Sequence, residues 1–121
     1  MTPQPWSHSR LEEFKSCPRA FYEKQIAKSV IETKGEATVW GEQVHLHFEQ
    51  FLRDGIPLPL ELQMHEAYLL ELHHLPGQAF VEQRIALDRR AQPCEFFGGE
   101  VWYRGIIDYL KINGTHALVI D

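Results

Sequence analysis

Within this 121-residue chain, the dipeptide Asn113-Gly114 narrows the possible folds most sharply. It stands between two apolar runs, YRGIIDYLKI before it and THALVID after it. That arrangement is the strongest short-range signal for a β-hairpin with a type I′ turn. With Asn113 and Gly114 as the loop, Ile112 faces Thr115, Lys111 faces His116, and Asp108 faces Val119. Side chains alternate along each strand, so Asp108 and Asp121 are expected on one face as diagonal neighbours, roughly 7–8 Å apart. Two carboxylates so held suit a hard divalent cation. The plainer reading is a solvated acid near a turn and a second at a strand end.

Composition sets broader bounds. Hydrophobic residues make up 44% and charged residues 24%, with a formal net charge of −5, which describes one globular domain with a modest core. The acidic balance argues against binding nucleic acid through a broad basic face. It leaves room for a hydrolase whose acids are offset by a bound cation. Two cysteines, Cys17 and Cys94, make no disulfide framework and fit a reducing, cytoplasmic setting. No apolar leader and no stretch long enough to span a membrane is present, so no membrane partner is expected.

Along the chain, Ser9-Arg10-Leu11-Glu12 reads as a capping box opening a short helix to about Ser16, with Leu11 and Phe14 buried. Pro18 is placed to start a second helix to about Ala27, with Cys17 near its cap. Residues 28–36 read as a mobile connection. A longer helix follows over 37–53, since Ala37, Trp40, Val44, Phe48 and Leu52 recur at spacings of three and four, and Gly55 ends it. Gly41 and His45 lie one turn apart beside that stripe; by composition alone, His45 is a core or boundary residue. A further helix is expected over 60–74. Strands are expected over 79–87, 100–112 and 115–121, with Val81, Ile85 and Leu87 on one face of the first and Glu82 and Arg84 on the other. Gly105 reads as a place of close approach.

Two blocks carry a resemblance. Gly105-Ile106-Ile107-Asp108, the hairpin and Val119-Ile120-Asp121 resemble the core of the PD-(D/E)XK nuclease superfamily. SHSRLEEFKSCPRAFYEKQI, residues 7–26, resembles the N-terminal signature of its RecB-like branch, which includes AddB-type recombination nucleases and CRISPR-associated adaptation nucleases. Gly41 to His45 is similar to a Gly-x-x-x-His element of that branch, and Glu82 to the glutamate that opens its central sheet.

The resemblance implies an α/β fold (α+β in looser usage): a restriction-endonuclease-like core with N-terminal helices around a mixed sheet. Its catalytic lysine follows the second acid by two positions and would fall beyond Asp121. The chain is therefore expected to be an incomplete single nuclease-like domain, with 1–77 mostly helical and 78–121 supplying the first strands of the sheet. The implied activity is Mg²⁺- or Mn²⁺-dependent hydrolysis of DNA by the full-length protein, exonuclease-like, in recombination, repair or phage DNA processing; the 121 residues alone, without that lysine, are expected to be inactive. Asp108, Asp121, Glu82 and His45 are the implied catalytic and metal-binding residues, and Arg10, Arg19, Lys24 and Arg104 the candidate phosphate contacts. In some relatives, the cysteine matching Cys17 joins three others in holding a 4Fe-4S cluster. The implied partners are DNA and recombination or repair proteins. The alternative is a catalytically inactive DNA-binding or assembly subunit on the same fold, and a chance match by an unrelated metal-dependent hydrolase also stays open.

Overall fold

The computed structural model describes residues 4–121. In chain order the elements are helices α1 (His8–Ser16), α2 (Pro18–Phe21) and α3 (Glu36–Asp54), a 3₁₀ segment (Leu60–His65), α4 (Glu66–His74), and strands β1 (Gln78–Leu87), β2 (Tyr103–Asn113) and β3 (His116–Ile120). The strands form one sheet in the order β1-β2-β3, with β2 and β3 antiparallel. The architecture is α/β, consistent with a restriction-endonuclease-like core. The chain divides into two compact units: one runs up to Thr33 and resumes over Arg84–Ile106, and the other comprises Lys34–Gln83 and Ile107–Asp121.

In the first unit, the backbone of Trp6 pairs with the start of β2: its N–H donates to Trp102 O (2.8 Å), and Arg104 N–H donates to Trp6 O (2.8 Å). Pairing holds Trp6 extended, so the chain turns into α1 directly afterwards. The N-cap is consequently Ser7, whose Oγ accepts from Arg10 N–H at 3.4 Å, and not the expected Ser9. No residue of α1 is fully buried. Phe14, expected inside, is 41% exposed and meets Trp6 and Phe21 edge-on, while Trp6 stacks on Phe21 at 5.4 Å. The second expected helix is a short α2 continued by a π-helical turn, Tyr22–Ile26.

The second unit holds the main core. Leu58, Leu62, Leu69, Leu72 and Tyr109 are buried together, and Val44, Phe48 and Leu52 of α3 pack against them with Val81 and Ile120. This is the stripe expected on α3, and Gly55 ends that helix in the left-handed conformation at φ 69°. The helix expected over 60–74 begins as 3₁₀. At that start no side chain caps the backbone, and Leu62 is buried while Leu60 and Met64 are 79% exposed.

Two departures concern the strands. The hairpin register is Asn113↔His116, Ile112↔Ala117, Lys111↔Leu118, Leu110↔Val119 and Tyr109↔Ile120, so the loop is Gly114-Thr115. Gly114 has φ 60°, and Thr115 is not among the residues with positive φ, which suits a type II′ turn with glycine first. In β1, Glu82 sits at φ 54°, in the left-handed region. A residue so placed breaks the two-residue alternation as a bulge does. Beyond it Ala86 is buried and Ile85 is 43% exposed, the reverse of the expected phase.

Candidate functional site

The corrected register brings the hairpin acids closer than the sequence suggested. Continued by one pair, Tyr109↔Ile120 sets Asp108 directly opposite Asp121. The expected loop and the observed one differ by an even step, so the shared face is retained. One turn of α3 supplies the third group: His45 Nδ1 lies 3.1 Å from Asp108 Oδ2. The His45 side chain is nevertheless 64% exposed, so the ring reaches the carboxylate from solvent and is not enclosed. At that separation the imidazole, when protonated, and the Asp108 carboxylate form an ion pair.

Glu82 joins them from β1. Its carboxyl is pushed above the usual range, first by burial and then by the neighbouring charges of Glu49 and Asp108, with Arg53 and His45 opposing. Its left-handed backbone is a conformation that costs about 1–3 kcal/mol and persists only where the surroundings impose it. His45, Glu49, Glu82, Asp108 and Asp121 all line one cavity of about 290 Å³, whose remaining wall includes Phe48, His65, Tyr68 and Tyr109.

Glu49 and Arg53 were not singled out by sequence reasoning. They form an ion pair along α3 and continue the turn that carries His45. The signal was present: 45, 49 and 53 are spaced by four, which places them on one helix face. His65 meets Phe48 edge-on at 5.7 Å and lines the same cavity.

The other candidates lie in the first unit. Arg10 covers Phe21 at 5.2 Å and donates to Gln25 Oε1 (2.8 Å), and Gln25 donates to Glu13. Lys24 bridges Glu13 at 3.4 Å and Glu32 at 3.1 Å. Arg104 donates to Phe96 O, and Arg19 is exposed. Cys17 is exposed and caps α2, its Sγ accepting from Ala20 N–H at 3.5 Å. Cys94 is a free thiol, pushed up by burial and by Asp88, Glu100 and Glu95.

Among the described residues, no three His, Cys, Asp or Glu side chains converge closely enough to hold an ion as they stand. The residue types do fit a divalent cation, with hard oxygen donors from two strands and a glutamate in a surplus of negative charge. Gly41 leaves open space beside His45, since a Cβ there would meet nothing within 4 Å. Gly105 is not a point of close approach, for a Cβ would come only within 3.9 Å of Ile85.

The sequence pattern agrees with this arrangement: the model of the PD-(D/E)XK nuclease superfamily matches residues 5–121. The chain belongs to the PD-(D/E)XK nuclease superfamily. No curated protein and no solved structure matches it. Glu82 on β1, Asp108 on β2 and Asp121 just past β3 stand on neighbouring strands of one sheet. Among its described residues no helix is long and apolar enough to cross a membrane.

Proposed function

We propose that this superfamily member is a Mg²⁺- or Mn²⁺-dependent deoxyribonuclease of the RecB/AddB-like branch, exonuclease-like, acting in recombination, repair or phage DNA processing. The contact between His45 and Asp108, with Asp121 directly after β3 at the next position of the register, is the observation that carries the reading. The branch rests on the N-terminal signature from Ser7 to Ile26 and on the Gly41/His45 spacing.

Asp108 and Asp121 would hold the cation, with Glu82 and His45 as further donors. When bound, such an ion supplies an activated water and neutralises charge developing on the phosphate. The residues do the positioning. His45 stands 3.1 Å from the Asp108 carboxylate, on the side of α3. The two-residue turn fixes the strand register that sets Asp121 opposite. Burial, with Glu49 and Asp108 nearby, raises the Glu82 carboxyl above its usual range, so positive charge arriving there favours its ionisation.

The experiment is a Mn²⁺ titration followed by electron paramagnetic resonance, with digestion of labelled single- and double-stranded DNA by the full-length protein and its Asp108→Asn and Asp121→Asn variants. Each substitution should weaken Mn²⁺ binding at least ten-fold and abolish digestion. Digestion that survives both removes the mechanism. DNA binding without digestion by the unaltered protein establishes instead an inactive DNA-binding or assembly subunit.

A further inference from the structure

The cavity that gathers the acids has a second kind of wall, which holding a cation does not use. Four rings line it: Phe48 of α3, His65 at the end of the 3₁₀ segment, Tyr68 of α4 and Tyr109 of β2. Rings and acids alike belong to the second unit. Three of the rings are already engaged. Phe48 and His65 meet edge-on at 5.7 Å, and Tyr109, 1% exposed, donates its hydroxyl hydrogen to Leu72 O at 3.3 Å. Tyr68 differs from them. It is 55% exposed, and among the described residues its side chain has no hydrogen bond and no ring contact.

Rings and leucines give water few hydrogen-bond partners, so a planar apolar group that displaces water from this wall is favoured. The acids decide which planar group arrives. A phosphodiester held at Asp108 and Asp121 through a cation carries a base one sugar away, and the same cavity offers that base an aromatic face. At about 290 Å³ the space lies at the small end of ligand pockets, which run to about 1,000 Å³, so it suits one base. Stacking on a tyrosine tolerates any sequence, because every base has a π-face. A base inside a duplex has both faces covered by its neighbours and its edge by its partner, so only an unpaired one can reach the ring.

We propose that the aromatic wall of this cavity is a base subsite: the nucleotide whose phosphate is held at Asp108 and Asp121 lays its unpaired base against Tyr68. The substrate is then a single strand or the frayed end of a duplex. The subsite rests on the nuclease reading above and names the substrate class for it.

The full-length protein is tested with 2-aminopurine placed at each position of a short single strand in turn. Its fluorescence is followed as protein is added in Ca²⁺, a cation that takes oxygen ligands and, unlike Mn²⁺, is not paramagnetic. Stacking on Tyr68 should quench the fluorescence at one position. Tyr68→Ala should remove that quenching, Tyr68→Phe should keep it, and the same strand in a duplex closed by G·C pairs should not show it. An abasic residue at the quenched position should weaken binding about ten-fold, and Tyr68→Ala should weaken the normal strand by a similar factor while leaving the abasic strand unchanged. Melting temperatures check that the variants fold, and the abasic comparison needs no variant at all. No quenching at any position, quenching that survives Tyr68→Ala, or equal binding of normal and abasic strands each overturns the subsite. Metal-dependent digestion by the unaltered protein is scored separately. Quenching without digestion removes the nuclease reading and leaves the base subsite; digestion without quenching does the reverse.

Discussion

Gly41→Ala separates two roles that a glycine in the middle of a helix can have. The residue lies inside α3, one turn before His45. A glycine in a helix interior costs about 0.8–1.0 kcal/mol relative to alanine, through backbone entropy. The added Cβ would meet nothing within 4 Å, so no overpacking opposes the gain. The net expectation is therefore a stabilisation of close to 1 kcal/mol, which for a chain of this size raises the melting temperature by about 3–6 °C. Thermal unfolding followed by circular dichroism at 222 nm measures it. A lower melting temperature would refute the reasoning, because it would mean that the space beside Gly41 is already occupied in the folded chain. DNA digestion by the same variant supplies the second half. If that space admits the substrate backbone, activity falls while stability rises; if activity is unchanged, the glycine has no part in substrate approach.

Other outcomes follow from the same geometry. Gly77→Ala should be strongly destabilising, by about 2–5 kcal/mol in urea unfolding, because φ is 121° and the new Cβ would lie 2.5 Å from Ile112 O. Lys111 is 6% exposed and donates to His73 O at 2.7 Å and Leu72 O at 3.4 Å at the end of α4, so Lys111→Met should cost about 1.5–3 kcal/mol by the same measurement. Glu82 holds its proton to higher pH in the folded chain than in the unfolded one. Its charge therefore costs stability as pH rises from the ordinary value of 4.5 through the folded one. Glu82→Gln should stabilise the metal-free protein at pH 7, and the advantage should vanish below about pH 4.5 in a urea series across pH.

The sequence was legible where one local rule decided the outcome. The α3 stripe, the Gly55 stop and the pairing of β2 with β3 each rest on near neighbours, and each is present. The hairpin also shows the limit of such reasoning. Asn-Gly marks the turn but does not fix which two residues form it, and only the two-residue period of side-chain direction kept Asp108 and Asp121 on one face. The left-handed backbone of Glu82 had no sequence signal, since it is no glycine, asparagine or aspartate, and the phase of β1 beyond it was misread accordingly. The N-cap moved from Ser9 to Ser7 because the pairing of Trp6 with the distant Tyr103 fixes where the helix can begin. That Phe96 and Phe97 gather Arg84 and Arg104 depends on the course of a long loop, which periodicity does not describe.

The pairing of Trp6 with Tyr103 also bears on how the protein emerges from the ribosome. Its two partners are separated by nearly the whole chain, and closing a loop of roughly 100 residues costs on the order of 4 kcal/mol in chain entropy before any contact offsets it. At roughly 5–20 residues per second, synthesis leaves the Trp6 strand without its partner for about 5–20 s. During that interval Trp6, Phe14 and Phe21 can cluster only with one another. The segment around Trp6 is thus made well before the strand that pairs with it, and it is where a nascent-chain chaperone would find apolar surface to hold.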